Sequence, residues 1–344
     1  MAIIGEPGKG DGMGRHFVGE GTATAAVGDA RQTVGEGAAT AAVGDASQTA
    51  GAGAGTASAA GWSTVTAAGA TGTANPQGEP IVLSVHHLEK VYGGRGIGGR
   101  RGRGSAGAVT RALADVSFDV RAGEFVSIMG ASGSGKSTLL NCVSTIDAPT
   151  SGQVLVEGTD ATCLRGRALT RFRRDRLGFI FQNSNLLDTL TARENIALPL
   201  TIARVPAGEV LGRVEETAAR LGIREVIDKY PYQMSGGQQQ RVAAARALVT
   251  GPAVAMADEP TGALDSKNAR LLLEQLEQLN RDRAATILMV THDGFAASYT
   301  HRVLFIRDGK IFTELRRGDG SRREFFDRIM EVVAMMGGEG SDAL

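Results

Sequence analysis

Gly130-Ala131-Ser132-Gly133-Ser134-Gly135-Lys136-Ser137 is preceded by the apolar run Phe125–Met129 and followed by the helical pattern Thr138–Ile146. The stretch fits G-x-x-x-x-G-K-[ST] set between a strand and a helix. That is the pattern of a loop whose backbone N–H groups wrap a phosphate. The glycines let the backbone close on the anion, and the helix start adds partial positive charge. Lys136, one of six lysines in the chain, is placed to bridge the β- and γ-phosphates, and the Ser137 hydroxyl to bind Mg²⁺. A Gly-rich chain can produce such a string by chance; the strand-then-helix context argues against chance here. Alone, the loop defines only a nucleotide-binding class that serves many functions.

Further motifs lie downstream. Met234-Ser235-Gly236-Gly237-Gln238 opens a second helical pattern about a hundred residues later, and a Ser-Gly-Gly run at a helix start is another anion-binding end. Val254-Ala255-Met256-Ala257-Asp258-Glu259-Pro260 is a small apolar strand ending in two acids. Asp258 is placed to hold Mg²⁺, directly or through water, and Glu259 to orient or deprotonate an attacking water. Thr261-Gly262-Ala263-Leu264-Asp265 follows, and then a strand ending in Thr291-His292-Asp293.

Around these motifs, short apolar strands alternate with helical patterns from Ile81 to about Met336. Strands are expected at Ile81–Val85, Val116–Val120, Phe125–Met129, Gln153–Val156, Phe179–Phe181, Val254–Ala257, Thr286–Val290 and Val303–Ile306. Helices are expected at Ser137–Ile146, Val210–Leu221, Gly236–Val249, Asn268–Arg281 and Arg323–Met335. The alternation indicates an α/β fold with a largely parallel core sheet.

Residues 1–80 read differently. They hold three basic and seven acidic side chains, a charge of −4, while the remainder carries 34 basic and 30 acidic groups, or +4. Val18–Thr33 (VGEGTATAAVGDARQT) and Val34–Thr49 (VGEGAATAAVGDASQT) repeat with 14 of 16 positions the same. Such Gly/Ala-rich sequence buries too little apolar surface to offset chain entropy, so a disordered tail is expected over 1–80. It serves as a tether or is a repeat expansion without mechanism.

The 37 basic and 37 acidic groups of the whole chain cancel, which excludes a protein that is basic throughout and coats nucleic acid. Cys142 and Cys163 are the only cysteines, which excludes a disulfide framework or multi-cysteine metal site. No apolar run reaches the roughly 18 residues of a membrane span, and a secretory leader pattern is missing. A soluble, cytoplasmic protein is expected.

In order and spacing, these motifs resemble those of the ATP-binding subunits of ABC transporters, from about Ile81 to Phe312. The matching parts are the Walker A cradle, a Q-loop at Gly178-Phe179-Ile180-Phe181-Gln182, the signature Ser235-Gly236-Gly237-Gln238, Walker B with Glu259, a D-loop at Ala263-Leu264-Asp265 and a switch His292. The resemblance implies a P-loop NTPase fold, an ABC nucleotide-binding domain over 81–337. It would carry an antiparallel β subdomain, a helical subdomain at about 183–245 and a disordered end at 338–344. It implies ATP held by Gly130, Ser132, Gly133, Ser134, Gly135, Lys136, Ser137 and Thr138, with Tyr92 stacked on adenine or else only a packed strand-end aromatic. It implies Mg²⁺ at Ser137, Gln182 and Asp258, and catalysis by Glu259, His292 and Gln182. It further implies a head-to-tail pair with a second copy, in which Ser235, Gly236, Gly237, Gln238 and Asp265 meet the other copy's nucleotide. The remaining partner is an integral membrane permease on whose inner face the subunit sits; no nucleic acid is expected.

Pro149-Thr150-Ser151-Gly152, Asn183-Ser184-Asn185-Leu186-Leu187 and Glu194-Asn195-Ile196 are similar to the branch serving macrolide export, lipoprotein release and antimicrobial-peptide resistance. Two other readings stand beside export: an ABC ATPase of a cell-division-type signalling complex, and a soluble ABC ATPase on nucleic acid. Three local questions also stay open. Leu186, Leu187 and Leu190 either receive a permease helix or pack internally. The amphipathic stretch Arg323–Met336 either docks on the domain or anchors at a membrane. The Arg/Gly-rich segment 93–111 is a solvated loop, an RG-type nucleic-acid segment or a contact for anionic lipid.

Overall fold

The computed structural model describes residues 80–93 and 109–338. The repeat tail up to residue 79, the Arg/Gly-rich segment 94–108 and residues 339–344 lie outside the described residues. In chain order the strands are β1 (Ile81–Tyr92), β2 (Thr110–Arg121), β3 (Phe125–Met129), β4 (Ser151–Val156), β5 (Thr159–Asp160), β6 (Leu177–Ile180), β7 (Val254–Asp258), β8 (Ile287–Thr291), β9 (Arg302–Arg307) and β10 (Lys310–Arg316). The α-helices are α1 (Lys136–Val143), α2 (Gly166–Arg176), α3 (Ala192–Ile202), α4 (Ala207–Arg220), α5 (Gly236–Leu248), α6 (Ser266–Arg283), α7 (Gly294–Ala297) and α8 (Arg322–Gly338).

The strands form two sheets. One is antiparallel, in the order β2-β1-β4-β5; the other runs β10-β9-β3-β8-β7-β6. In the second sheet β9, β3, β8, β7 and β6 are mutually parallel, with β10 antiparallel on the edge. This is the expected α/β class with an antiparallel β subdomain.

The parallel strands are buried on both faces and alternate between two cores, as a side-chain period of two requires. Along β8, Ile287 and Met289 join a core with Leu200, Val214 and Leu248 of the helical region; Leu288 and Val290 join a core with Leu83, Val85 and Leu139. β7 alternates likewise: Ala255 and Ala257 face the first core, Val254 and Met256 the second. Ala255 and Ala257 are fully buried in the same core as Ala244 and Ala245 of α5.

Several expected boundaries move. The helix after the cradle ends at Val143, not Ile146, and the strand expected from Thr286 begins at Ile287. The C-terminal helix runs to Gly338, one residue past the expected end of the domain. Phe325, Ile329 and Val332 are buried against Met129, Val303 and Phe305, so this helix docks on the core sheet. α3, α4 and α5 pack together where a helical subdomain was expected, and α5 continues three residues beyond 245. α3 begins with a full capping box, Thr191 with Glu194.

Candidate functional site

Sheet register brings the motifs to one edge. Met129, the last residue before the cradle, pairs with Thr291, the last before His292. Val290 pairs with Asp258, and Ala257 pairs with Ile180, two residues before Gln182. Four adjacent parallel strands thus deliver the cradle, His292, the Asp258–Glu259 pair and Gln182 from their C-terminal ends, where open α/β sheets bind ligands.

The cradle opens α1 without any side-chain cap. Its N-cap is Gly135, at φ 105°, and no side chain accepts from the first-turn N–H groups. Those groups are the positive end of the helix and suit an anion. Gly135 is fixed sterically as well: a Cβ there would lie 2.6 Å from the Ala112 carbonyl oxygen. Lys136 is buried and donates from Nζ to the Gly130 and Ala131 carbonyls, both at 2.8 Å. An ammonium has three donors, so two brace the loop and one is left for a phosphate oxygen. Burial lowers its pKa, and the charges of Glu259 and Asp258 oppose that shift. The Ser134 hydroxyl is buried and finds no partner among the described residues. Ser132, Gly133 and Ser137 are exposed along the same loop, with Thr138 half-buried behind them.

Asp258 has its pKa raised, first by burial and then by the neighbouring Glu259 charge, with Lys136 acting the other way. Two carboxylates held together at a half-buried edge disfavour ionisation, and a divalent cation would relieve that cost. The donor set of Asp258, the Ser137 hydroxyl and the Gln182 amide therefore fits Mg²⁺. Glu259 sits at φ 42°, uncommon for a residue with a side chain. Its N–H bonds Val290 O and its C=O receives Gly262 N–H, each at 2.9 Å. His292 Nδ1 lies 3.0 Å from Glu259 Oε1. With Nδ1 protonated, His292 donates to this carboxylate oxygen and holds Glu259 in place. His292 is not a core histidine, since its side chain is 65% exposed. Gln182 is exposed beside Gly262, where a Cβ would lie 3.0 Å from its Nε2.

Ser235, Gly236, Gly237, Gln238 and Asp265 form a second group. Ser235 Oγ accepts from Gln238 N–H (3.3 Å) and Gln238 Oε1 from Ser235 N–H (2.9 Å), closing a capping box on α5. Asp265 caps α6 by accepting from Asn268 N–H at 2.9 Å. The hydrogen bonds described for these residues run to one another and to their own helices, at Gln239, Asn268 and Ala269, and not to the cradle.

Residues 113–262 match the family described as ABC transporter. The chain is 53% identical over 230 residues to the bacitracin export ATP-binding protein BceA of Halalkalibacterium halodurans, covering 67% of this chain and 91% of that one. It is 48% identical over 199 residues to the macrolide export ATP-binding/permease protein MacB of Escherichia coli, covering 58% of this chain and 31% of that one. Among solved structures it is similar to a dimeric post-hydrolysis state of the ATP-binding cassette MJ0796 bound to ADP and Pi. That match has a TM-score of 0.59 and 37% identity, covering 68% of this chain and 98% of that one. The chain belongs to the ABC transporter family. It is an ATP-binding ATPase of that family, similar to the ATP-binding proteins of export systems, and these relatives favour neither the cell-division nor the nucleic-acid reading.

Within this ABC ATPase, Tyr92 ends β1, with Lys90 Nζ 4.8 Å over its ring. It is 42% exposed, and its hydroxyl donates to Asp147 Oδ2 at 2.8 Å. Lys90 Nζ, 2.7 Å from Asp147 Oδ1, holds that carboxylate and keeps its pKa below the usual carboxylate range. The leucines after the Q-loop divide. Leu186 packs against the helical core, Leu190 is half-buried, and Leu187 is 46% exposed.

Sequence reading missed the residues that tie the Q-loop to the signature helix. Gln240 Nε2 donates to Phe181 O at 2.7 Å, and Arg246 donates to Asn185 O (2.7 Å) and Ser184 O (3.0 Å). The buried amide of Asn195 similarly fixes the loop at Leu187, Leu190 and Thr191. No local pattern marks these contacts.

Proposed function

We propose that the cradle of one copy and the signature end of a second copy enclose the same ATP, and that hydrolysis there drives a membrane permease for export. What carries this reading is the Glu259–His292 contact at 3.0 Å, at the strand ends that also present Lys136 and Asp258. The β- and γ-phosphates would lie on the N–H groups of α1 and on Lys136, with the adenine on Tyr92. Ser137, Asp258 and Gln182 would hold Mg²⁺, which would neutralise phosphate charge. Glu259 then takes the proton of the attacking water at its carboxylate, oriented by His292 Nδ1. Ser235, Gly236, Gly237 and Gln238, with Asp265, would face the γ-phosphate from the other copy, and the described hydrogen bonds of these residues, none of which runs to the cradle, support that division.

The ATP-binding domain in this reading spans 81–337, with 183–245 as its helical part. The names of the relatives, bacitracin export and macrolide export, support an antimicrobial cargo and a permease partner. No helix among the described residues is long and apolar enough to cross a membrane. In this reading the spans belong to a permease partner, with the ATPase at the membrane's inner face. Exposed Leu187, beside the Q-loop, is the side chain we assign to that contact. Glu259→Gln tests the reading. It is expected to bind ATP, pair in its presence, lose turnover by roughly 10²–10⁴-fold and co-purify with a membrane protein. Unchanged ATP turnover would contradict the assignment.

A further inference from the structure

The two helices that carry the signature and follow the D-loop are joined at their starts by one side chain. Asn268 donates from its backbone N–H to Asp265 Oδ1 (2.9 Å) and from Nδ2 to Asp265 Oδ2 (2.6 Å), so both oxygens of the D-loop carboxylate are gripped. The other end of the same amide lies across the signature. A Cβ at Gly237 would stand 2.3 Å from Asn268 Oδ1 and 2.4 Å from its Cγ. Gly237 lies within α5 and has no left-handed φ. A side chain at this position would have to displace the Asn268 amide. Arg241, one turn further along α5 and buried, reaches toward Asn268 Oδ1 at 3.5 Å. Asn268 itself is neither in the signature nor in the D-loop.

We propose that Asn268 is a positioning residue that locks the D-loop carboxylate to the first turn of the signature helix. Asp265 and Ser235–Gln238 then reach the other copy's nucleotide as one body. This rests on the composite-site reading above. Both helix starts keep their own caps without the Asn268 side chain. The Ser235–Gln238 box does not involve it, and the residue 268 backbone N–H still bonds Asp265. Removing the amide therefore loosens the register between two folded elements and does not unfold either.

The test compares Glu259→Gln with Glu259→Gln/Asn268→Ala and Glu259→Gln/Asn268→Asp. It measures melting temperature, binding of radiolabelled ATP by equilibrium dialysis at protein concentrations below pairing, and ATP-dependent dimerisation by light scattering. Both double variants are expected to keep the parent's melting temperature and ATP binding while needing about tenfold more protein to dimerise, about 1.4 kcal/mol. Asn268→Ala with Glu259 intact is expected to lose kcat with little change in KM. Dimerisation equal to the parent in Asn268→Ala would overturn the proposal. So would parental behaviour of Asn268→Asp, which keeps the packing over Gly237 but replaces the donor with a like charge beside Asp265. If Glu259→Gln itself fails to pair in ATP, the composite-site reading falls, and this inference with it.

Discussion

The starts of α1 and α5 are both Gly-rich, both exposed in part and both suited to an anion, yet they are finished differently. α1 begins on Gly135, in a left-handed conformation that offers no acceptor to the N–H groups behind it. α5 begins on Ser235, whose hydroxyl and partner Gln238 already bond each other's backbone. A helix start leaves up to four N–H groups without intrahelical partners. In α1 they are open to a phosphate; in α5 part of them is already satisfied. The difference suits α1 to bind nucleotide within one subunit, and α5 to engage only when a charged phosphate arrives in competition with its cap. On the proposed reading, the two ends are two halves of one site and not two sites.

Breaking the open end should have the largest effect. Gly135→Ala forces a Cβ into the Ala112 carbonyl and a strained φ costing about 3 kcal/mol. ATP affinity measured by calorimetry is expected to fall roughly 100-fold. Breaking the closed end should be milder and of another kind. Gln238→Ala removes one bond of the α5 cap and is expected to cost about 1 kcal/mol, or roughly 2–4 °C in melting temperature, leaving ATP binding to the cradle unchanged. An equal loss of ATP affinity in both variants would erase the contrast.

The smallest effect sharpens the same comparison through Asp258, the acid facing the open end. Its folded pKa is raised, so ionisation there costs stability once the pH climbs above the ordinary carboxylate range. Asp258→Asn is therefore expected to stabilise the nucleotide-free protein at neutral pH by about 0.5 kcal/mol while abolishing Mg²⁺-dependent turnover. The gain should shrink on acidification, as the wild-type carboxyl protonates. A gain independent of pH would contradict the stated cause.

Much of this was readable from residues, because the chemistry sits at strand ends. Phe125–Met129, Val254–Asp258 and Ile287–Thr291 are short, apolar and buried on both faces, and each is followed directly by its functional group. What sequence did not show lies where the pattern is weak. α2 is almost wholly polar, with Phe172 alone buried. α3 carries Pro199 in its interior. β10 exposes every second residue on a sheet edge and mixes charge with apolar groups. β1 runs on to Tyr92 through irregular register near Leu88, which blurs its alternation. In the site, the missing parts are tertiary: the hold of Asp147 on Tyr92, and the placement of Asn268 against Gly237, join residues that no local spacing connects.

The central claim is that cradle and signature end act on one ATP from different subunits, and mixing two disabled chains tests it directly. Lys136→Ala removes the cradle's cation; Ser235→Arg blocks the signature end. Each variant alone should be inactive, since both composite sites are broken in either homodimer. In the mixed dimer the two defects meet at one site and leave the other intact, so ATPase activity should return to about a quarter of wild type for random pairing. If the mixture stays as inactive as its components, each chain uses its own cradle and signature together, and the account is wrong.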